Sequence, residues 1–542
     1  MKIGKVLSVG AAFLMAALAS PTVTAGDTGR TALIARDVSA DLAQAVRPGG
    51  VNGRPFWNAN AIMFMYPPAF DFKPMASLNG KTTLMYDFEV HDANGHFHNF
   101  WAESPQVPLT NVWAKLPTGF TTVICRAAQG GIRRVTVGTR AFWKSAPFTG
   151  DYPKAKRPYA ESAKMAFDYV LNAPSVRYFV AKGELDPSFS FNVYPTKMLA
   201  SIAQAACAMA ASDGERRAEA TALARKAADW LILNAEKPDA PLPHFPPTYR
   251  GKGWTAREYA GQVMMIYPAS AANAYLEVFV LTGNRRYLDE AEAIGEVYLR
   301  LQGSDGTWPL KMTLADGKPI GDNRLIPVTT VLPMLEKLAQ LTGKAEYRRA
   351  ADRAFAYVLD ARVSTWNWEG QFEDVPPNAP YTDLTKHDAC ALAIYLANNF
   401  PKDAEKVSLA RDLLQFAEDQ FVCWEKPYDV PGYSRQSAMV DLRTWTVPGV
   451  LEQYFWYNPI DASAAKLINT YLALWRTERK PLDLAKARAL GDVLTRVQWN
   501  DGGMPTEWAL NPLPQNIWMN CHIASAMALD ALAKTAHEKD YE

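Results

Sequence analysis

The chain is 542 residues long, 49% hydrophobic and 21% charged, with 57 basic against 56 acidic residues. That length calls for more than one domain, and the near-neutral charge excludes the electrostatic footprint of a nucleic-acid binder or a polybasic membrane anchor. Sixteen Trp and 37 Pro point to rigid, aromatic loops.

The N-terminus reads as an export signal. Lys2 and Lys5 form a charged start, Val6 to Ala19 an apolar run, and Val23-Thr24-Ala25 a small-residue cleavage site. Cleavage is expected after Ala25, which leaves a periplasmic or secreted mature protein. The residue directly after that site is Gly26 and not the cysteine of a lipoprotein anchor, and no later apolar run has the length of a membrane span. Five cysteines (Cys125, Cys207, Cys390, Cys423 and Cys521) are few and odd in number, which argues against a disulfide framework. No C-x-x-C spacing marks a metal or redox centre. No cofactor is implied.

Residues 26–150 are expected to form an N-terminal antiparallel, β-sandwich-like domain. "TTLMYDFEV", "HFHNFWAES", "NVWAKL", "FTTVICRAA" and "RRVTVGTRAFW" read as short strands separated by turn signals. His96 and His98 share a strand face and read as a paired surface or core feature. The segment "PFWNANAIMFMYPPAFDF" is too apolar for a free linker and is expected to pack on something.

Residues 151–542 read as an (α/α)6 toroid. Six segments recur at the ends of helices: "AFDYVLN", "AADWLILN", "IGEVYLRLQ", "AFAYVLDAR", "LLQFAEDQF" and "GDVLTRVQ". Each precedes a loop and then a second helix, whose openings fall near Tyr194, Tyr267, Ile326, His387, Val447 and His522. These markers step by roughly 60 to 75 residues, the signature of six helical hairpins. Connections such as "TGNRRY", "TGKAEY" and "NNFPKD" are short and polar, whereas those inside each hairpin are long and aromatic. One end of the ring is therefore elaborated, and function is expected there.

The stretch "WNWEGQFEDV", Trp366 to Val375, lies on that elaborated end. Glu369 stands among Trp366, Trp368 and Phe372, surroundings that raise a carboxyl pKa and suit a general acid. Its companions in acid/base work are expected among Asp388, Glu373, His387 and Asp305. Flat faces for sugar rings come from Tyr249, Tyr267, Trp308, Trp366, Trp368, Trp445, Trp499 and Trp518. His244 and His522 are further contacts, and Arg250, Arg324 and Arg443 offer fork-shaped donors for a sugar carboxylate. Core packing, caps and solvated loop charge are the competing explanations for each residue taken singly. "LQGSDGTWP" resembles the Q-x3-G-x-W staple of triterpene cyclases, and "VQWNDGGMP" repeats it in part. The acidic run those enzymes use for protonation is absent, so the motif reads as structural.

Taken together, the β region followed by six hairpins resembles the six-hairpin glycosidase superfamily, closest in character to its unsaturated-uronide hydrolases and glucuronidases. The resemblance rests on architecture and assigns no residue. It implies a glycoside hydrolase acting on acidic, uronate-containing oligo- or polysaccharide by paired carboxylates. A polysaccharide lyase using a base from His244, Tyr249, Tyr267 or His387 is the alternative, followed by a toroid-type epimerase and a non-catalytic glycan binder.

Overall fold

The computed structural model describes residues 61–76, 85–129, 133–321, 328–369, 381–425, 447–454, 459–507 and 517–535, with a few positions between Ile34 and Ala40. The export signal and the Ile326 marker lie outside the described residues.

Strands β1 (Met63–Phe64), β2 (Met85–His91), β3 (Phe97–Ala102), β4 (Gly119–Gln129) and β5 (Arg133–Lys144) form one sheet, in the order β1-β5-β4-β2-β3. Neighbours are antiparallel except β1, which runs parallel to β5. Period-two alternation sets the faces. Tyr86, Phe88 and Val90 of β2 and Val123, Cys125 and Ala127 of β4 are buried. Among the described residues, the layer on that inner face is not a second sheet. It is the apolar segment after Ala61, whose Phe64 and Phe70 rings meet Phe142 at 5.5 Å, together with Trp113, which stacks on Phe142 at 6.0 Å. Trp113 belongs to "NVWAKL", which was expected as a strand. Thr110–Trp113 is instead a helical turn. Leu109, Val112, Trp113 and Leu116 are all buried, a spacing that fits one helical face and not a pleat. His98 is held by Asp92 at 2.8 Å, and Asp92 also caps the turn by accepting from the amides of Asn94 and His96.

Twelve ring helices follow among the described residues, besides the shorter helices Pro174–Lys182 and Trp254–Glu258. The odd-numbered ones are outer: α1 (Tyr159–Asn172), α3 (Arg217–Leu233), α5 (Arg285–Leu301), α7 (Ala345–Val358), α9 (Ala404–Phe421) and α11 (Pro481–Val497). The even-numbered ones line the ring: α2 (Pro195–Ser212), α4 (Ile266–Thr282), α6 (Leu332–Thr342), α8 (His387–Asn399), α10 (Asp461–Glu478) and α12 (Met519–Lys534). The inner helices pack in sequence, with a 3-10 turn at Val328–Thr330 bridging α4, α6 and α8, and α12 packs back on α2 and on α1 to close the circle. Each short turn has a local cause. Gly283 and Gly343 take left-handed conformations after α4 and α6, Asn284 caps α5, and Asp403 caps α9.

The expected opening of the fifth hairpin is corrected. Val447-Pro448 leads into β7 (Gly449–Val450), which pairs with β6 (Val422–Cys423), and the inner helix starts at Asp461. The turn signal that matters is Asn458-Pro459, just ahead of the long helical run.

The Q-x3-G-x-W motif and its partial repeat are equivalent joints half a ring apart. Gln302 follows α5 and donates to the carbonyls of Gly306 and Ala350, the latter on α7, both at 2.9 Å. Gln498 follows α11 and donates to Gly502 at 3.0 Å and to Ser162 of α1 at 2.9 Å. Each ties one outer helix to the next. Gly306 and Gly502 have φ of 92° and 94°, and a Cβ on either would strike a carbonyl oxygen, of Arg353 or Met165.

The sheet docks on the C-terminal end of α9. Asp419 Oδ1 accepts from the amides of Met65 and Tyr66 at 2.7 and 2.8 Å, and Gln420 donates to Met63 O at 2.9 Å. The Tyr66 hydroxyl donates to Glu418, which Lys486 neutralises at 2.7 Å. Gln420 also accepts from the Tyr454 hydroxyl at 2.6 Å, so the domain contact reaches the fifth long loop.

Gly306→Ala and Gly502→Ala are each expected to cost about 2–4 kcal/mol, from the positive φ and the backbone clash together. Urea unfolding of the two variants checks this. A loss under about 1 kcal/mol in both would mean that the joints yield.

Candidate active site

The inner helices begin at the long-loop end, and their first turns carry a buried polar cluster. Lys386, the N-cap residue of α8, is 0% exposed. Its ammonium donates to the carbonyl oxygen of Glu452 at 2.6 Å and to the Ser463 hydroxyl on α10. Burial pushes its pKa down to about 8. His387 opens α8, with Nε2 3.5 Å from Glu452 Oε1. Burial, and then the Lys386 charge, drive this imidazole down to about 4, so it is neutral at pH 7. Glu452 moves the other way: burial opposes ionisation, but His387 and Lys386 outweigh it and hold the carboxylate below its usual range.

Asp461 opens α10 and is fully buried. It accepts from the amide of Ala462 at 2.7 Å and from the Ser525 hydroxyl of α12 at 3.1 Å. Burial nevertheless raises its pKa well above the ordinary carboxylate value. Asp388, in the first turn of α8, accepts from Thr329 at 3.0 Å, and burial raises it too.

A ribbon of short bridges joins the fourth, fifth and sixth long loops across this end. Glu369 pairs with Leu384, Thr385 with Gln453, Leu451 with Pro459, and Ile460 with Glu507. Alternation along these strands sends Glu369 and Glu452 to the same side of the ribbon, with backbones two strand spacings, roughly 10 Å, apart. Glu369 is 6% exposed, and the backbone amides of Tyr381 and Asp383 reach its carboxylate and favour the ionised form. Burial lifts its pKa to about 7, and Asp383 beside it adds repulsion. Arg362, anchored to Asn367 O at 2.7 Å, pulls weakly on both Glu369 and Asp388.

The residues singled out in the sequence divide into groups. Glu369, His387 and Asp388 come together at the mouth. Trp518 stands at the N-terminus of α12, and buried Tyr267 in the first turn of α4. Trp366 and Trp368 are 5% and 1% exposed, edge to face at 6.0 Å, and Trp366 packs on Phe416 of α9. They make the wall behind Glu369 and are not open stacking faces.

Other expected residues sit elsewhere. Asp305 is exposed and caps its own turn through the Thr307 amide. Trp308 is buried on Tyr298 and donates to its carbonyl. Trp499 packs against Gly503 in the Gln498 joint. His244 pairs with Glu290 of outer helix α5 at 2.9 Å. Arg250 bonds Asn234 and lies over Trp230, on the flank of α3. His522 is fully buried, with Nδ1 accepting from Met504 N and Nε2 facing Ala166 O at 2.8 Å, so backbone groups use both nitrogens. Glu373, Arg324, Arg443 and Trp445 lie outside the described residues.

Glu452 and Asp461 were missed because the fifth inner helix was started too early.

Six hairpins closed into a ring make this region an (α/α)6 toroid. No family model and no curated protein matches the chain. Among solved structures it is similar to a family 76 glycoside hydrolase from a bovine Bacteroides thetaiotaomicron strain, at 11% identity over 83% of this chain and 93% of that one, TM-score 0.47. Cellobiose 2-epimerase from Spirochaeta thermophila DSM 6192 is 13% identical over 71% and 100%, TM-score 0.49. An unsaturated glucuronyl hydrolase specific for heparin is 10% identical over 69% and 97%, TM-score 0.44. Each is a likeness of backbone only.

A carboxyl with a raised pKa penalises the folded state once it ionises. For Glu369, with a folded pKa of about 7 against an ordinary glutamate value of 4.5, the folded state binds the extra proton between those values. Stability therefore falls as pH rises from 4.5 to 7. Glu369→Gln removes the penalty, by up to about 3 kcal/mol above pH 7 and by nothing below pH 4.5. Thermal unfolding at pH 4.5 and pH 8 should show a higher Tm for the variant only at pH 8. An equal effect at both values would contradict the assignment.

Proposed function

We propose that this chain is an exported carbohydrate-active enzyme, a glycoside hydrolase cleaving uronate-containing oligo- or polysaccharides. One observation carries the reading: two carboxyls on the same side of the mouth ribbon have pKa values driven apart, Glu369 upward to about 7 and Glu452 downward. Such a pair divides the acid and base roles of glycosidic cleavage. Glu369 protonates the departing oxygen. Glu452, ionised and steadied by His387 and Lys386, acts on the anomeric side. The Trp366–Trp368 wall keeps Glu369 dry. Export is supported by the N-terminal segment.

An acidic substrate is supported by the cations at the mouth. Lys466 is half-buried on α10, and its ammonium meets no hydrogen-bond or ion-pair partner among the described residues. It is close enough to act on His387 and Asp388. Lys197 of α2 acts in the same way on Glu452.

A second reading has a specific observation behind it. A neutral imidazole held by a carboxylate is also a base for removing a proton beside a sugar carboxylate, as a lyase or epimerase requires.

The test is Glu369→Gln. Natural-oligosaccharide cleavage should fall about 10²–10⁴-fold, while aryl glycosides with good leaving groups, which need no protonation, should be largely spared. The alkaline limb of kcat/KM, near pH 7 in the wild type, should vanish on the spared substrates. Full activity of the variant on oligosaccharide, with ultraviolet-absorbing unsaturated product that disappears in His387→Ala, would instead favour the lyase.

Lys466→Met tests the acidic substrate. Activity on a uronate chain is expected to fall by about 2–5 kcal/mol in transition-state binding, with little change on the matching neutral sugar. Equal losses on both would end the uronate assignment.

A further inference from the structure

A row of aromatic rings leads from the central cluster to the rim on the second hairpin. Lys197, which acts on Glu452 in the mouth, lies over the Tyr194 ring at 5.3 Å. Tyr194 is the N-cap residue of α2 and meets Tyr249 at 6.0 Å. Tyr249 meets Tyr259 at 5.3 Å, and Tyr259 meets Trp254 edge to face at 6.2 Å. The Lys311 ammonium sits 3.6 Å from the centre of the Tyr259 ring.

Burial falls along the row. Tyr194 is 7% exposed, Tyr249 and Tyr259 are intermediate, and Trp254 is 60% exposed. A single exposed Trp is unremarkable. Here it ends a continuous line that starts at the proposed catalytic groups. The line runs from the half-buried Lys197 ammonium, past the partly exposed Tyr249 and Tyr259, to the exposed ring of Trp254, while Tyr194 and Lys311 are buried supports beneath it. That combination suits a pyranose ring, apolar on its faces and polar at its edge.

We propose that this row is a set of outer subsites for an extended glycan, with Trp254 as the outermost stacking platform, so that the enzyme prefers chains of about four sugars or more to disaccharides. This rests on the proposed function, because it assumes that the glycan's scissile bond lies at Glu369 and Glu452. Centre-to-centre steps of 5.3 to 6.2 Å carry the row over three ring-to-ring contacts. At about 5 Å per sugar, that is room for two or three sugars beyond the mouth.

The experiment uses the full chain and size-graded di-, tetra- and hexasaccharides of alginate, pectate and hyaluronan. Binding is measured by calorimetry on Glu369→Gln, with and without Trp254→Ala, and turnover on the wild-type background with and without Trp254→Ala. Trp254→Ala is expected to weaken tetra- and hexasaccharide affinity about 5- to 10-fold and to raise KM equally, leaving kcat and all disaccharide values unchanged. Trp254→Phe should recover most of the loss, which a merely structural defect would not do. Length-dependent, Trp254-dependent binding without cleavage of any series would sustain the subsites and sink the hydrolase reading. Cleavage with no dependence of affinity or KM on chain length or on Trp254 would overturn the subsites and leave the hydrolase standing. Absence of binding by all three series would overturn the subsites as well.

Discussion

The ammonium of Lys386 is the contact on which the mouth of the ring depends. It is a fully buried cation at the start of an inner helix, held by the Glu452 carbonyl and the Ser463 hydroxyl. A charge so placed is tolerated only when its donors are met and a counter-charge lies near. Both conditions are satisfied by one loop, which supplies the carbonyl that Lys386 bonds and the carboxylate that offsets it. The same cation adds to the burial that keeps His387 neutral, and it joins the His387 hydrogen bond in keeping Glu452 ionised. One interaction thus fixes loop 5 against α8 and α10 and biases the protonation states of the groups around it.

That arrangement is held from behind by the sheet. Asp419 and Gln420, at the end of α9, take up the amides of Met65 and Tyr66 and the carbonyl of Met63, while Gln420 also receives the Tyr454 hydroxyl. Tyr454 is two residues from Glu452 and on the same ribbon. The N-terminal region therefore does more than cover an apolar helix end: it braces the strand that presents Glu452. The glutamine joints act on the outer ring in a similar way, fixing how far α5 stands from α7 and α11 from α1.

Local chemistry made much of this legible before any coordinates. Gly283 and Gly343 ended helices where the sequence put turns, and the Gln302 and Gln498 motifs proved to be ties between helices. The environment of Glu369 could be read because its tryptophans are adjacent in the chain. Where the reading failed, one pattern had been taken for another. Residues 109–116 carry helical spacing in a region of strands, and Val447-Pro448 looks like a helix start in the sequence, whereas the helix begins at Asp461.

The sequence by itself determined the six-hairpin repeat, the elaborated end and the apolar setting of one glutamate, because each depends on residues within a turn or two of one another. Tertiary structure alone decided which polar residues meet. His522, Arg250 and Trp308 have the composition of site residues, yet they face the outer ring, where backbone groups and neighbouring rings occupy them. Glu452, with no local motif, became central because strand pairing set it beside Lys386 and His387, 66 and 65 positions away in the chain. Burial at that junction, a property of the closed ring and of no single segment, lifts the pKa of Glu369, and only the His387 and Lys386 contacts that the ring assembles overcome it at Glu452.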